Sequence, residues 1–165
     1  MPRTTTSVTR RTWGPRKKYS LARASVSSNT RAGAGVLGAQ TETVIVASVA
    51  GQGKRKCKNF DIQLACLQQA GVNQALIYYA LVYVPYGSTA GAISDASATE
   101  FYNPASNVLA AGVYDCDEGT GFRIRTRLAR NLNAGDQILL LTRSLASAAG
   151  EVGARGVVSY VVAYN

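Results

Sequence analysis

Seven apolar runs separated by turn residues are the feature that most constrains how this 165-residue chain can fold. Val, Ile, Leu and Tyr are enriched in the runs, and most of the breaks between them contain glycine. Helical periodicity is almost absent, although 93–102 and 144–150 could each hold a short helical turn. The pattern therefore predicts an all-β sandwich or barrel. The runs cover 41–51, 58–68, 75–85, 107–115, 122–129, 136–144 and 155–165.

Two of the runs predict how their faces are used. In 75–85 the side chains of both parities are apolar or aromatic, and the closing run 155–165 repeats this feature. Such strands should be covered on both faces, by another element or by another copy of the chain. In 122–129 apolar and basic residues alternate, which predicts one apolar face and one cationic row. The apolar parity holds Phe122, Ile124 and Leu128, and the basic parity holds Arg123, Arg125 and Arg127.

The formal charge of +9 is concentrated at the N-terminus. Residues 1–31 contain eight Lys or Arg and no acidic residue, whereas 32–165 contain ten basic and nine acidic residues. Because 1–39 is also poor in large apolar residues, we expect a largely disordered basic arm there and a β domain at 40–165. Gly14 and Pro15 interrupt any amphipathic transit helix in the arm. No apolar run approaches the roughly 20 residues of a membrane span, so no membrane insertion is expected.

Basic residues interleaved with aromatic ones favour single-stranded nucleic acid as the ligand, because cations neutralise phosphates and rings stack on bases. The candidate contacts in the arm are Arg3, Arg10, Arg11, Trp13, Arg16, Lys17, Lys18, Tyr19, Arg23 and Arg31. Further candidates are Lys54, Arg55, Lys56, Lys58, Arg123, Arg125 and Arg127, for which a solvated face or salt bridges between subunits are the alternatives. The run Arg10, Arg11, Arg16, Lys17 and Lys18 also has the composition of a nuclear import signal.

The chain has no histidine and three cysteines, Cys57, Cys66 and Cys116. The absence of histidine removes the commonest acid-base and metal-ligand chemistry, so we expect a protein that is not an enzyme and holds no cofactor or metal. An odd cysteine count without a CxxC pair is typical of neither a disulfide framework nor a zinc site, and it favours a reducing compartment.

Two local motifs resemble ligand-binding signatures, but we interpret both without a ligand. The acidic cluster Asp115, Asp117 and Glu118 lacks the alternating ligands of a full calcium loop, so a solvated turn is expected there. Gly33, Gly35 and Gly38 match GxGxxG, but that signature requires a strand before it and a helix after it. We interpret the glycine stretch as a flexible neck.

Three segments resemble the capsid proteins of circular Rep-encoding single-stranded DNA (CRESS-DNA) viruses: YYALVYVPYGST (78–89), FYNPASNVLAAGVYD (101–115) and RLARNLNAGDQILLLTRS (127–144). The resemblance implies a single jelly roll of two four-stranded antiparallel sheets, with sixty copies forming a T=1 icosahedral shell around circular single-stranded DNA. It also implies a virion protein that assembles in the host nucleus, with the import machinery and a host-cell receptor as further partners. A jelly roll needs eight strands, and the eighth is expected within 86–106 or 144–154.

Two alternatives stay open on the sequence. The coat protein of a satellite or other small RNA virus would share this fold and arm, and nothing here distinguishes the 2′-hydroxyl of RNA, although DNA is the preferred cargo. The other alternative is a β-barrel module on a basic tail that binds nucleic acid without assembling.

Overall fold

The computed structural model describes residues 18–51, 53–94, 101–119 and 121–164. Within these ranges nine β-strands and two short 3-10 turns, Ala105–Asn107 and Cys116–Glu118, make up the regular structure. The strands are β1 (Ser20–Ala32), β2 (Thr41–Val46), β3 (Arg55–Gln68), β4 (Leu76–Val84), β5 (Val108–Asp115), β6 (Gly121–Thr126), β7 (Arg130–Leu132), β8 (Gln137–Leu145) and β9 (Gly150–Tyr164).

The strands form two antiparallel sheets. Sheet I has the order β1-β9-β3-β6, with β7 also pairing with β3, and sheet II has the order β2-β8-β4-β5. The first four strands of the chain alternate between the sheets, and the last strand inserts between β1 and β3 in sheet I. Without the short β7, which lies off this path, the two sheets have the strand order of an eight-stranded jelly roll. The prediction of an all-β, single jelly-roll sandwich is confirmed.

All seven predicted runs contain a strand. The segment 144–150 holds the end of β8, a bend and the start of β9, so it does not contain the short helical turn that the sequence allowed there. The other candidate, 93–102, lies partly outside the described residues; its two ends meet as an isolated bridge between Ile93 and Tyr102. No helix in the described chain has the length and apolarity needed to cross a membrane.

The eighth strand is β1, which lies in the segment expected to be a disordered arm. The prediction of a disordered arm is therefore wrong for Ser20–Ala32. The prediction that the eighth strand lies within 86–106 or 144–154 is wrong as well. All thirteen residues of β1 pair in register with β9. Main-chain hydrogen bonds therefore stabilise this strand, to which its small side chains contribute little.

Small polar residues on the inner side of β1 explain why its sequence does not look like a strand. The Thr30 hydroxyl lies 2.6 Å from the Ser144 hydroxyl and 3.0 Å from the Val152 carbonyl oxygen. Buried hydroxyls are tolerated where they are hydrogen-bonded. The strand is therefore fixed by tertiary contacts, which local composition does not reveal.

The glycine stretch between β1 and β2 is a hydrogen-bonded turn. The Gly35 N–H donates to Ala146 O and the Gly38 N–H to Ser144 O, both at 2.8 Å, and Gly35 has the positive φ of 63° that favours glycine. A strand does precede this motif, contrary to expectation, but another strand follows it. No helix N-terminus is present to bind a pyrophosphate, and the interpretation as a flexible neck is wrong.

Within the chain, the expected two-sided cover is found for β4, whereas cover of β9 by another copy stays a prediction. One face of β4 contributes Ile77 and Leu81 to the core between the sheets. The other face packs under the β4–β5 connection, where Ile93 and Tyr102 are buried in a second cluster. Another element of the same chain therefore covers β4. On the outer side of β9, by contrast, Val157 is 53% exposed.

Candidate nucleic-acid surface

The outer face of sheet I collects basic side chains from four strands. Strand alternation sends every second residue of β1, β9, β3 and β6 to the core and the others outward, as the burial patterns show. We call this surface the cationic face. Its outward cations are Arg23, Arg31, Lys56, Lys58, Arg123, Arg125 and Arg155. The acidic residues at outward positions of the same strands are Asp61 and Glu151, so positive charge dominates.

Strand register brings together cations that are far apart in the sequence. Arg23 on β1 is opposite Ser159 on β9, which is opposite Asp61 on β3. Asp61 is in turn opposite Arg125 on β6. With neighbouring strands about 4.8 Å apart, this row crosses the whole sheet in about 14 Å. The sequence predicted cationic clusters but had no means of showing that they share one row.

A bulge in β3 keeps its basic residues on the outer face and its apolar residues on the core side. Between Lys58 and Asp61 one extra residue is inserted relative to β9, and Asn59 has a φ of 54°. Asn is among the residues that tolerate this left-handed conformation. The bulge leaves Cys57 and Phe60 both facing the core while Lys58 and Asp61 both face outward.

Asp61 is held between two arginines of the cationic face. Arg123 donates to both of its carboxylate oxygens, and Arg125 Nε lies 3.5 Å from Oδ2. The hydrogen bonds from Arg123 hold the pKa of Asp61 below its usual value, and they raise the pKa of Arg123. Asp61 therefore stays ionised and orients Arg123, while the Arg125 side chain remains 64% exposed.

The N-terminal residues join the sheet at the edge of the cationic face. Tyr19 directly precedes β1, and the Lys58 ammonium lies 4.1 Å from the centroid of its ring. A cation over an aromatic face is attracted by the ring quadrupole. The contact connects the segment that leads out of the basic arm to a cation of β3.

Arg55 does not belong to this surface, although the sequence grouped it with its basic neighbours. It is 5% exposed, and its guanidinium donates to Ala47 O at 3.0 Å and to Asp136 O at 3.2 Å. The prediction is wrong for Arg55 because β3 begins at this residue and its parity directs the side chain inward.

The predicted row of three arginines is shorter than expected. Arg123 and Arg125 lie on β6, whereas the strand ends at Thr126 and Arg127 follows it, exposed to solvent. Leu128, expected to face the core, is 54% exposed for the same reason. Beyond the strand end, a shallow depression of about 520 Å³ lies beside the row. Its lining residues are Asn59, Phe60, Asp61, Arg125, Thr126 and Arg127.

The remaining candidates divide between described and undescribed residues. Lys18 and Lys54 are exposed, outside the strands. Arg155 on β9 was not selected from the sequence, although its outward parity between Ala154 and Gly156 was available as a signal. Residues that lie outside the described chain are Arg3, Arg10, Arg11, Trp13, Arg16 and Lys17.

The acidic cluster is used for hydrogen bonding within a turn. Asp117 accepts from the Gln68 side-chain amide at 3.0 Å through Oδ1 and from the Gln74 N–H at 2.7 Å through Oδ2. Asp115 accepts from the Asp117 N–H at 2.9 Å. The Glu118 side chain lies outside what is described. Within the described chain, no group of three or more acidic, histidine or cysteine side chains could hold a metal ion.

No protein-family model matches the sequence, and no curated protein shows significant similarity to it. Among solved structures, the chain is similar to chains of the infectious bursal disease virus Gx strain, with a TM-score of 0.47, 11% identity, and coverage of 90% of this chain and 32% of that chain. For the Gt strain the values are 0.43, 12%, 91% and 33%, and for Israeli acute paralysis virus 0.36, 10%, 90% and 74%. The chain thus spans about a third of the length of the two bursal disease virus chains.

Proposed function

We propose that this chain is the shell subunit of a small virus and packages single-stranded nucleic acid through residues 1–18 and the cationic face. The observation that carries the proposal is the continuity of the two basic regions. Residues 1–18 contain six Lys or Arg and no acid, and they lead through Tyr19, in contact with Lys58, into the edge strand of the cationic face. The arm sequence and the sheet thereby offer one polycationic site, in which Asp61 and Glu151 are the acidic residues at outward strand positions.

The two outer faces of the sandwich support an orientation for the subunit. The outer face of sheet II has an apolar cover, with Ile93 and Tyr102 packed over β4. The outer face of sheet I is cationic, and Val157 and Leu67 are exposed on it. In a closed shell one face of every subunit is turned to the interior, and a cationic face suits an interior filled with phosphate. Jelly rolls also serve lectins and cupins, so the charge distribution and not the fold decides between these classes.

The proposed contacts are electrostatic and independent of sequence. Lys58, Arg23 and Arg125 would neutralise phosphates and release counterions, while Trp13 and Tyr19 would stack on bases. The depression beside Arg125 and Arg127 is open to a phosphate or a base at the end of the row. The role is structural and involves no turnover.

The finer identity of the particle comes from the resemblance of 78–89, 101–115 and 127–144 to CRESS-DNA virus capsid proteins. On that basis the proposed particle has sixty copies in a T=1 shell, and its cargo is circular single-stranded DNA. The basic residues Arg10, Arg11, Arg16, Lys17 and Lys18 would also direct the subunit to the host nucleus before assembly.

Assembly is tested by expressing the full chain and analysing its size on a sizing column at low and high salt. We expect uniform particles in the void fraction, visible by electron microscopy. A stable 17.4 kDa monomer under every condition tried would contradict the proposal and would favour a non-assembling nucleic-acid-binding module.

The cargo is tested by digesting the particles with nuclease before and after they are opened. We expect nucleic acid that is protected in the intact particle and sensitive to a nuclease specific for single-stranded DNA after release. When the chain is produced together with a circular single-stranded DNA and an RNA of equal length, preferential protection of the RNA would instead support the small RNA virus alternative.

A further inference from the structure

Two of the three cysteines meet where the two sheets are joined. Cys66 lies near the end of β3 in sheet I, and Cys116 lies in the 3-10 turn that follows β5 of sheet II. Their sulfur atoms are 2.8 Å apart, and both are free thiols. A covalent bond between them would tie one sheet to the other.

The surroundings of Cys116 fix its position. Its N–H donates to Ala75 O at 2.8 Å, at the start of β4. The next residue, Asp117, is tied to Gln68 on β3 and to the Gln74 N–H. The turn that carries Cys116 is thus held against the strand that carries Cys66, and the two sulfurs can approach without a rearrangement of the sheets.

The two thiols differ in acidity. Pairing with the Cys66 sulfur lowers the pKa of Cys116 and a hydrogen bond from Gln68 assists this, whereas burial and the nearby charges of Asp115 and Asp117 raise it. The same pairing, together with burial, raises the pKa of Cys66. Cys116 is therefore the more acidic thiol of the pair, and its thiolate form is the nucleophile in disulfide exchange. The third cysteine, Cys57, is fully buried, and burial raises its pKa to about 11.

We propose that Cys66 and Cys116 are an oxidation site that forms an intrachain disulfide between sheet I and sheet II when a low-molecular-weight disulfide is present. The Cys116 thiolate attacks one sulfur of the oxidant, forms a mixed disulfide and expels one thiolate. The Cys66 thiol then loses its proton and attacks the Cys116 sulfur, which expels the second thiolate. The two cysteines lose two electrons and two protons, and the oxidant becomes two thiols.

This proposal changes how the cysteine count is interpreted. The odd number and the lack of a CxxC pair predicted no disulfide framework, but a pair separated by 50 residues leaves no signature in the sequence. In a reducing cell the pair stays open, and in an oxidising medium it closes a loop of about fifty residues. Closing so long a loop restricts the unfolded chain and should raise the melting temperature by roughly 10 °C.

The test uses the purified full chain incubated with reduced or with oxidised glutathione. Remaining thiols are alkylated, and peptides are mapped by mass spectrometry without reduction. We expect a single linked pair, Cys66 with Cys116, Cys57 free in every sample, and a higher melting temperature for the oxidised chain. Free Cys66 and Cys116 in the folded, oxidised chain, or a link through Cys57, would each overturn the proposal, and an unchanged melting temperature would contradict the expected stabilisation.

Three variants sharpen the result. Cys57→Ala should still form the link, whereas Cys66→Ser and Cys116→Ser should not, and their melting temperatures should not respond to oxidised glutathione. If either serine variant fails to fold, the peptide map of the unsubstituted chain still decides the question. None of these measurements requires particles or nucleic acid, so the outcome is independent of the proposed function.

Discussion

Asp136 shows at the residue scale how this chain stabilises a buried charge. It is 3% exposed, directly before β8. Its carboxylate accepts from the Asn133 N–H at 2.7 Å, the Tyr83 hydroxyl at 2.8 Å and the Tyr86 N–H at 2.9 Å. Burial raises the pKa of Asp136, but these three donors outweigh it and hold the pKa below its usual value. Burial and the hydrogen bond to this carboxylate raise the pKa of Tyr83 to about 12.

We predict that Asp136→Asn lowers the free energy of unfolding by about 2 kcal/mol at pH 7, because donors to a charged acceptor lose their partner. Since the folded pKa is below the unfolded one, the contribution of Asp136 is complete above the unfolded pKa of about 3.9 and is lost as the pH falls through the folded pKa. Urea unfolding at several pH values should therefore show a difference between variant and parent that shrinks in acid. The control is Glu42→Gln, an exposed carboxylate on β2. A difference that is zero at pH 7, or independent of pH, would contradict the account.

Some residue placements were predictable from the sequence and others were not. The period of two along β6 placed Arg123 and Arg125 outward correctly. The inward position of Arg55 was hidden, because a basic residue among basic residues looks solvated until strand parity and its carbonyl acceptors are known. The residue type alone predicts poorly whether such a side chain faces the core, whereas the residue at which the strand begins predicts it well.

At the scale of elements, β4 and β1 show what a sequence pattern can reveal. The apolar residues on both sides of β4 predicted cover on both faces, because such a strand cannot be left exposed. β1 was missed because its inner positions are small or polar and its stability comes from pairing with β9 and from hydroxyl contacts. A local sequence pattern does not reveal contacts with strands that are distant in the sequence.

We predict that the boundary of the folded domain lies before β1. A chain that lacks 1–17 should retain the melting temperature of the full chain within a few degrees. A chain that lacks 1–32 loses an edge strand of sheet I and the Thr30 hydroxyl that donates to Ser144, and it should unfold or become insoluble. Circular dichroism melts of both truncations test this. A stable, cooperatively melting chain without 1–32 would show that β1 is dispensable.

At the scale of the whole molecule, the jelly roll positions the charge. The arm was predicted to hold nearly all of the excess charge, yet Arg23 and Arg31 belong to a strand and lie on the same face as the cations of β3, β6 and β9. This face was not predictable, because it depends on the register of strands up to about 140 residues apart in the sequence. The fold therefore determines which basic side chains lie together on one face.

We predict that Lys58→Gln with Arg125→Gln weakens binding of single-stranded DNA and reduces its salt dependence. Each lost phosphate contact should lower the magnitude of the slope of log K against log salt by about 0.7. Fluorescence anisotropy with a labelled oligonucleotide measures this. The matched control is Val44→Glu with Val113→Glu, which changes the net charge equally at exposed positions of sheet II. Equal loss in both variants would mean that net charge, and not the cationic face, governs binding.

The most direct test of the central claim is the nucleic-acid content of particles formed by the full chain and by the chain that lacks 1–17. Size and composition are measured together, by sedimentation with absorbance at 260 and 280 nm. We predict particles of the same size in both cases, with nuclease-protected nucleic acid in the first and much less in the second. Equal cargo in both, or a full chain that stays monomeric and free of nucleic acid in every condition, would contradict the account.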